Sequence, residues 1–309
     1  MKHFEDGNWL KYQPYDRFLY FIALKVDRYK ILSATIEKLG LNSLVVSIED
    51  SRHFFIFPAG QKSPRINNGI FPFRGESPYL FCAHYDRVQG SPGANDNSIA
   101  VYQLLDVAIT LSQRRTSNWI ILFTDHEEIK YGESFEKQGS YALAQKLKSW
   151  GLEKSKIYNF DACGTGDVFT VSTTTDHILK NSDQANILNV RSGILNLRDH
   201  ALQTANSLRM EKVLLAPTPF SDDVGFLRAG LPSQTITMLP SKEAKKYEDL
   251  LRGYPDFADL IITGKIKAFA ERSRLPETWN NINNEGDTFS RLTPQFYENI
   301  VSFMMELIK

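Results

Sequence analysis

The sequence predicts an α/β domain of three layers, a largely parallel mixed central sheet flanked by helices. Two observations carry that expectation. Short apolar runs suited to strands alternate along the chain with segments of helical periodicity. Several of the strand-like runs, YLFCA (79–83) and WIILFT (119–124) among them, are apolar throughout rather than alternating, as strands covered on both faces are.

Taken in order, residues 15–40 have helical periodicity and end at Gly40, a suitable cap. Residues 42–60 read as two strands around a turn at Glu49-Asp50-Ser51-Arg52. A buried strand ends near Asp86, and a helix over 96–113 carries Ile99, Leu104, Ala108 and Leu111 on its apolar face. Strand 118–128 and helix 139–151 follow, then strands at 155–164 and 167–175. A helix around 194–208, a strand at 212–220 and a late strand at 231–240 come next. The closing helix takes Thr293 as N-cap and Pro294 as its first residue. No linker rich in Pro, Gly or Ser divides the chain, so residues 1–309 are expected to form one domain, with a helical elaboration around 241–279.

Lys plus Arg and Asp plus Glu each number 36, so the net charge is zero and nothing points to nucleic acid or an anionic membrane. No apolar run approaches the length of a membrane span, and residues 1–18 hold none that could serve as a signal-peptide core. The two cysteines, Cys82 and Cys163, lie in apolar runs and are expected to be buried thiols in a cytoplasmic protein.

The chemistry gathers at strand ends. In open α/β sheets ligands bind outside the carboxyl ends of the strands. One strand ends in His84-Tyr85-Asp86, another in Asp125-His126-Glu127-Glu128, a third in Asp161, and Asp96 opens the helix after the first. Each group also has an ordinary structural role open to it: Asp96 as a helix cap, His84 as a core histidine, the glutamates as a solvated loop, Asp161 as a turn residue. Parallel neighbouring strands would bring them all to one rim. Histidine nitrogen with carboxylate oxygens suits catalytic zinc. Asp86, two residues from His84, can orient the imidazole. Of two consecutive glutamates, one can bind the metal while the other takes a proton from metal-bound water. The turn QGSPGAN (89–95) lets the chain double back so that Asp96 meets His84.

The ordered set AHYD, GANDN, DHEE, NFDACG and SDDVGFLRAGLPS resembles the dizinc exopeptidases of bacterial leucyl-aminopeptidase type, a family that also contains the glutaminyl cyclases. The resemblance runs from Tyr79 to Asp287 and implies a zinc-exopeptidase-like fold. It further implies that His84 and Asp161 hold one metal, that Asp96 bridges to a second held by Glu128, that Glu127 is the general base and Asp86 the orienter of His84, and that Asp222 is an active-site aspartate of the cyclase-like members.

Two positions depart from that pattern. Asp223 stands where the family has a histidine, and Asn283, in the segment NNEGDT, stands where the last histidine ligand should be. Asn is as neutral as His, so the charge balance survives, but an amide oxygen is the weaker zinc ligand. The expectation is one tight zinc site and a weaker second one at Asp96, Glu128 and Asn283, with Asp223 and His126 as substitutes to consider. The function expected is zinc-dependent hydrolysis of small peptides, by an aminopeptidase using metal-bound hydroxide. The alternatives are a one-metal aminoacyl cyclotransferase or a silent member that binds a peptide or partner.

Overall fold

A computed structural model describes residues 10, 15–58, 77–130, 132–180, 190–262 and 274–309. Its strands are β1 (Ser43–Ile48), β2 (Ser51–Ile56), β3 (Tyr79–His84), β4 (Trp119–Thr124), β5 (Lys156–Phe160), β6 (Val168–Ser172), β7 (Val213–Ala216) and β8 (Ser233–Leu239). They form one eight-stranded sheet in the order β1-β2-β4-β3-β5-β8-β6-β7. The core pairs β3–β4, β3–β5 and β5–β8 are parallel, as is β6–β7, while β1–β2, β2–β4 and β6–β8 are antiparallel.

The helices are α1 (Tyr15–Ile22), α2 (Arg28–Lys38), α3 (Ile99–Gln113), α4 (Gly139–Ser149), α5 (Thr174–Lys180), α6 (Arg191–Ser207), α7 (Asp222–Arg228), α8 (Ser241–Gly253), α9 (Phe257–Ile262), α10 (Glu277–Asn281) and α11 (Tyr297–Leu307). None among the described residues is long and apolar enough to cross a membrane.

Every residue of β3 and β4 is buried, because alternate side chains serve opposite layers. Phe81, Ala83, Ile121 and Phe123 pack with α3, α6 and α11 through Leu104, Ala201 and Phe303. Leu80, Cys82, Ile120 and Leu122 pack with α4 and α7 through Leu143, Leu147 and Phe226. The chain passes from β3 to β4 on one side and returns to β5 on the other, so the carboxyl ends of β3 and β5 flank a topological switch point. A smaller cluster joins α8, α9 and α10 to the sheet edge: Ala244, Tyr247, Phe257 and Trp279 cover Val168, Ala216 and Leu239. These helices fall in the stretch where an elaboration is expected, 241–279; residues 263–273 of that stretch lie outside the described residues.

Local details differ from the sequence reading. The periodic stretch 15–40 is two helices, broken where Lys25 takes a left-handed φ of 64°. The first hairpin turns on Glu49-Asp50 alone, since Ser51 already pairs with Ile48. Thr293 does not cap the closing helix, which begins at Tyr297 after a 3₁₀ turn over Pro294–Phe296. Its hydroxyl instead accepts from the Gly166 amide at 2.7 Å and bonds the Gly164 carbonyl at 3.2 Å, tying the chain end to the loop after β5. Both cysteines are free and buried.

Candidate metal centre

His84 ends β3 fully buried, with a carboxylate on each side of its ring. Nδ1 lies 3.3 Å from Asp86 Oδ1; Nε2 lies 3.0 Å from Asp96 Oδ1 and 3.8 Å from Asp161 Oδ2. Burial alone would lower the ring's pKa, but the carboxylates of Asp161, Asp86 and Asp96 raise it well above the usual histidine value. Ligand atoms of His84, Asp96 and Glu128 all lie within 4.8 Å of one another.

The backbone explains why such groups meet. Asp96 does not cap α3. It lies in a wide helical turn, Ala94–Ser98, with the non-helical torsions φ −113° and ψ 88°, and the Asp96–Asn97 peptide is cis. Asn97 Nδ2 donates to the Phe160 carbonyl at 2.8 Å, and Asn95 Oδ1 accepts from the Gly164 amide at 2.8 Å. Those bonds draw Asp96 toward the end of β5, where Asp161 follows Phe160. From the other side, Asp287 accepts from the amides of Asn95 at 2.7 Å and Asp96 at 2.9 Å.

After β4, His126 takes a left-handed φ of 58°, turning the chain so that Glu127 and Glu128 follow on the inner side. Asp86 holds them there. Its two oxygens accept from the amides of Glu127 at 3.2 Å and Glu128 at 3.1 Å. One carboxylate therefore lies against the His84 ring and holds the glutamate turn. Glu127 is 4% exposed, and Gln138 Nε2 donates to its Oε1 at 3.0 Å. Burial pushes the Glu127 carboxyl well up, the charges of Glu128, Asp161 and Asp222 add to this, and His84 opposes it.

A pocket of about 100 Å³ opens over these groups, lined by Asp96, Glu127, Glu128, Asp161 and Asn283. Its apolar wall includes Phe220, Trp279 and Ile282, the last two beside the elaboration at the sheet edge. Asn283 has a left-handed φ of 64°, which asparagine tolerates, and its buried Oδ1 has no hydrogen-bond partner. Asp222, the remaining expected residue, does not line the pocket. It is fully buried behind it, where Thr124 Oγ1 donates to Oδ2 at 2.6 Å, and its carboxyl is pushed up to about 6 chiefly by burial.

The two residues considered as substitutes for Asn283, His126 and Asp223, do not line the pocket. His126 is exposed, and Asp223 is buried with Oδ1 accepting from the Ser221 amide at 3.3 Å. Burial raises Asp223 to about 7 from 3.8. A carboxyl raised on folding favours the folded state fully below its unfolded pKa, and that contribution is lost as pH rises to the folded value. Metal-free Asp223→Asn should therefore nearly match wild type near pH 4 and exceed it by on the order of 4 kcal/mol at pH 8. Urea unfolding at both pH values measures this; an equal difference at both would show that ionisation plays no part.

Sequence reasoning missed Gln138 and the pocket wall. Gln138 sits in a plain polar loop before α4, and Trp279 reads as an ordinary amphipathic residue; only the topology brings them to the strand ends.

The donor set fits a divalent cation. Carboxylates of Asp96, Glu127, Glu128 and Asp161 face one small, partly buried space with a single imidazole, an arrangement a bound cation would neutralise.

Comparison with known proteins agrees with the fold. A glutaminyl cyclase from Bacteroides thetaiotaomicron, bound to N-acetylhistamine, aligns with 98% of this chain and 94% of its own at 13% identity and a TM-score of 0.61. A glutaminyl cyclase from Porphyromonas gingivalis aligns over 95% and 94% at 16% identity and a TM-score of 0.60. A leucine aminopeptidase precursor from Bacteroides thetaiotaomicron aligns over 98% and 93% at 13% identity and a TM-score of 0.59. The chain spans about half the length of a zinc aminopeptidase from Bacillus subtilis, covering 83% of this chain and 49% of that one at 17% identity and a TM-score of 0.49. No curated protein matches the sequence. The sequence matches peptidase family M28 over residues 70–302, a span that holds every group gathered at the pocket from His84 to Asn283, and the chain belongs to that family.

Proposed function

We propose that the chain is a zinc-dependent hydrolase that removes amino-terminal residues from small peptides. One observation carries this reading. Two consecutive glutamates, the buried Glu127 and the half-buried Glu128, face the same pocket as Asp96 and Asp161, with His84 beside Asp96 and Asp161. In this reading His84 and Asp161 would hold one zinc, Glu128 with Asn283 would hold a second, and Asp96 would serve both. When bound, zinc polarises a carbonyl and makes water a better nucleophile.

The remaining chemistry belongs to the chain. Glu127 takes the proton of the attacking water and passes it to the departing amine, with Gln138 keeping its carboxylate in place. Asp86 keeps the His84 ring in register. The acidic rim attracts the substrate's terminal ammonium, and the wall of Phe220, Trp279 and Ile282 receives an apolar side chain.

A second reading, cyclisation of an amino-terminal glutamine, is favoured by Asn283, because a weak second site would leave a one-metal enzyme. A panel of aminoacyl 4-nitroanilides, run beside glutaminyl peptides assayed for ammonia release, separates the two. Nitroaniline release supports the hydrolase and ammonia release alone supports the cyclase. Neither product from zinc-loaded protein would mark a binding member without catalysis.

Asn283→His tests the assignment of the second site. Histidine also tolerates a left-handed φ, so the substitution suits the backbone. Calorimetric titration of metal-free protein should show unequal zinc sites in wild type and a second site about tenfold tighter in the variant, a gain of about 1.4 kcal/mol. Two equally tight wild-type sites would show that Asn283 is no weak point.

A further inference from the structure

The connection from His84 to Asp96 is held by a residue far from it in sequence. Arg28 is the first residue of α2, before the stretch matched by the family, and it is only 6% exposed. Its Nη1 donates to the carbonyls of Tyr85 at 3.0 Å and Asp86 at 2.9 Å. Its Nη2 donates to the carbonyls of Pro92 and Gly93, each at 3.0 Å, and to Ser98 Oγ, which in turn donates to the Gly93 carbonyl. The guanidinium also lies 4.7 Å from the centre of the Phe21 ring.

The pattern of acceptors is informative. One planar fork gathers the start of the connection (85–86), its end (92–93) and the last residue of the turn that carries Asp96. Converging carbonyl oxygens need donors, and water has little access to this place. Lysine would bring a compact head with three donors in place of a rigid fork with five. The fit is close on the loop side too. Gly93 has a φ of +61°, and a Cβ there would lie 2.8 Å from Arg28 Nη2 and 2.7 Å from the Asp96 carbonyl oxygen.

We propose that Arg28 is a positioning residue of the metal centre. It staples residues 85–98 into the shape that sets Asp86 and Asp96 on opposite nitrogens of His84. The α1–α2 segment thereby becomes part of the site's construction rather than an appendage to the fold. The inference rests on the reading of this centre as a zinc site.

The test compares wild type with Arg28→Lys, Ser98→Ala and, as control, Arg198→Lys, a similarly buried arginine whose bonds go to Asp176, Gln234 and Ser172. Two quantities are measured: zinc affinity by calorimetry, and hydrogen exchange of the 85–98 amides in metal-free protein. Arg28→Lys should bind zinc at least about tenfold more weakly, and its 85–98 amides should exchange about tenfold faster while those of β4 do not change. Ser98→Ala should shift both in the same direction by roughly threefold. Arg198→Lys should melt earlier with zinc affinity unchanged.

A merely structural role would lower the melting temperature of Arg28→Lys and leave zinc affinity and 85–98 exchange as in wild type; that result overturns the proposal. Should Arg28→Lys fail to fold, unchanged values of both quantities in Ser98→Ala overturn it equally. Wild-type protein that binds no zinc would sink the zinc reading instead, and the exchange measurement would still decide the role of Arg28.

Discussion

Glu127→Gln should abolish most turnover while leaving the metal bound. The substitution is nearly isosteric, and Gln138 Nε2, which donates to Glu127 Oε1 at 3.0 Å, can donate equally to an amide oxygen. The amide keeps the shape of the site and loses the ability to accept a proton. A general base of this kind contributes roughly 10²–10⁴-fold, so kcat should fall by about that factor. Zinc content, measured by mass spectrometry on the purified variant, should stay at the wild-type value, because the clustered donor atoms are those of His84, Asp96 and Glu128. Glu127 is almost fully buried beside another glutamate, and its carboxyl is driven upward mainly by that burial, the direction a base working near neutrality requires. A kcat within tenfold of wild type on a verified substrate would remove Glu127 from the mechanism. Loss of zinc from the variant would instead make it a ligand, and the roles of the paired glutamates would have to be exchanged.

The layers and the site rim were legible in the sequence for a common reason. YLFCAH and WIILFT are apolar on both faces because both faces are covered, and each ends where a polar group can reach the crevice. The groups placed at those ends do converge: His84, Asp96 and Glu128 within 4.8 Å, and Asp161 3.8 Å from His84. What stayed hidden depends on contacts between remote segments. Nothing near Arg28 or Gln138 marks either as part of a site, since their partners are backbone carbonyls and a carboxylate brought in by topology. Thr293 followed by Pro294 has the form of a helix start, yet the hydroxyl is drawn off to Gly164 and Gly166, so a tertiary contact displaces the local cap. Asp96 is the reverse case. Its place before an apolar helix suggests a cap, and the bonds of Asn95, Asn97 and Asp287 pull it out of that role and toward His84.

His84→Ala should empty the centre. The ring is fully buried at the end of β3, between Asp86 on Nδ1 and Asp96 and Asp161 on Nε2, and it is the imidazole of the donor cluster. Removing it leaves carboxylates facing one another across a small cavity, without the nitrogen ligand that zinc favours over oxygen. Zinc affinity should fall about hundredfold or more, beyond what the loss of an outer partner costs. Backbone structure should persist, since the strand is held by its pairings with β4 and β5 and by Phe81, Cys82 and Ala83 in the core. His126→Ala is the matched control: that ring is exposed and does not line the pocket, so its loss should leave zinc binding as in wild type. Zinc titration of both variants, with circular dichroism to verify the fold, gives the comparison. Wild-type zinc stoichiometry and affinity in folded His84→Ala would show that the cation is held by carboxylates alone, and Asp86 would then have no imidazole to orient in the loaded protein.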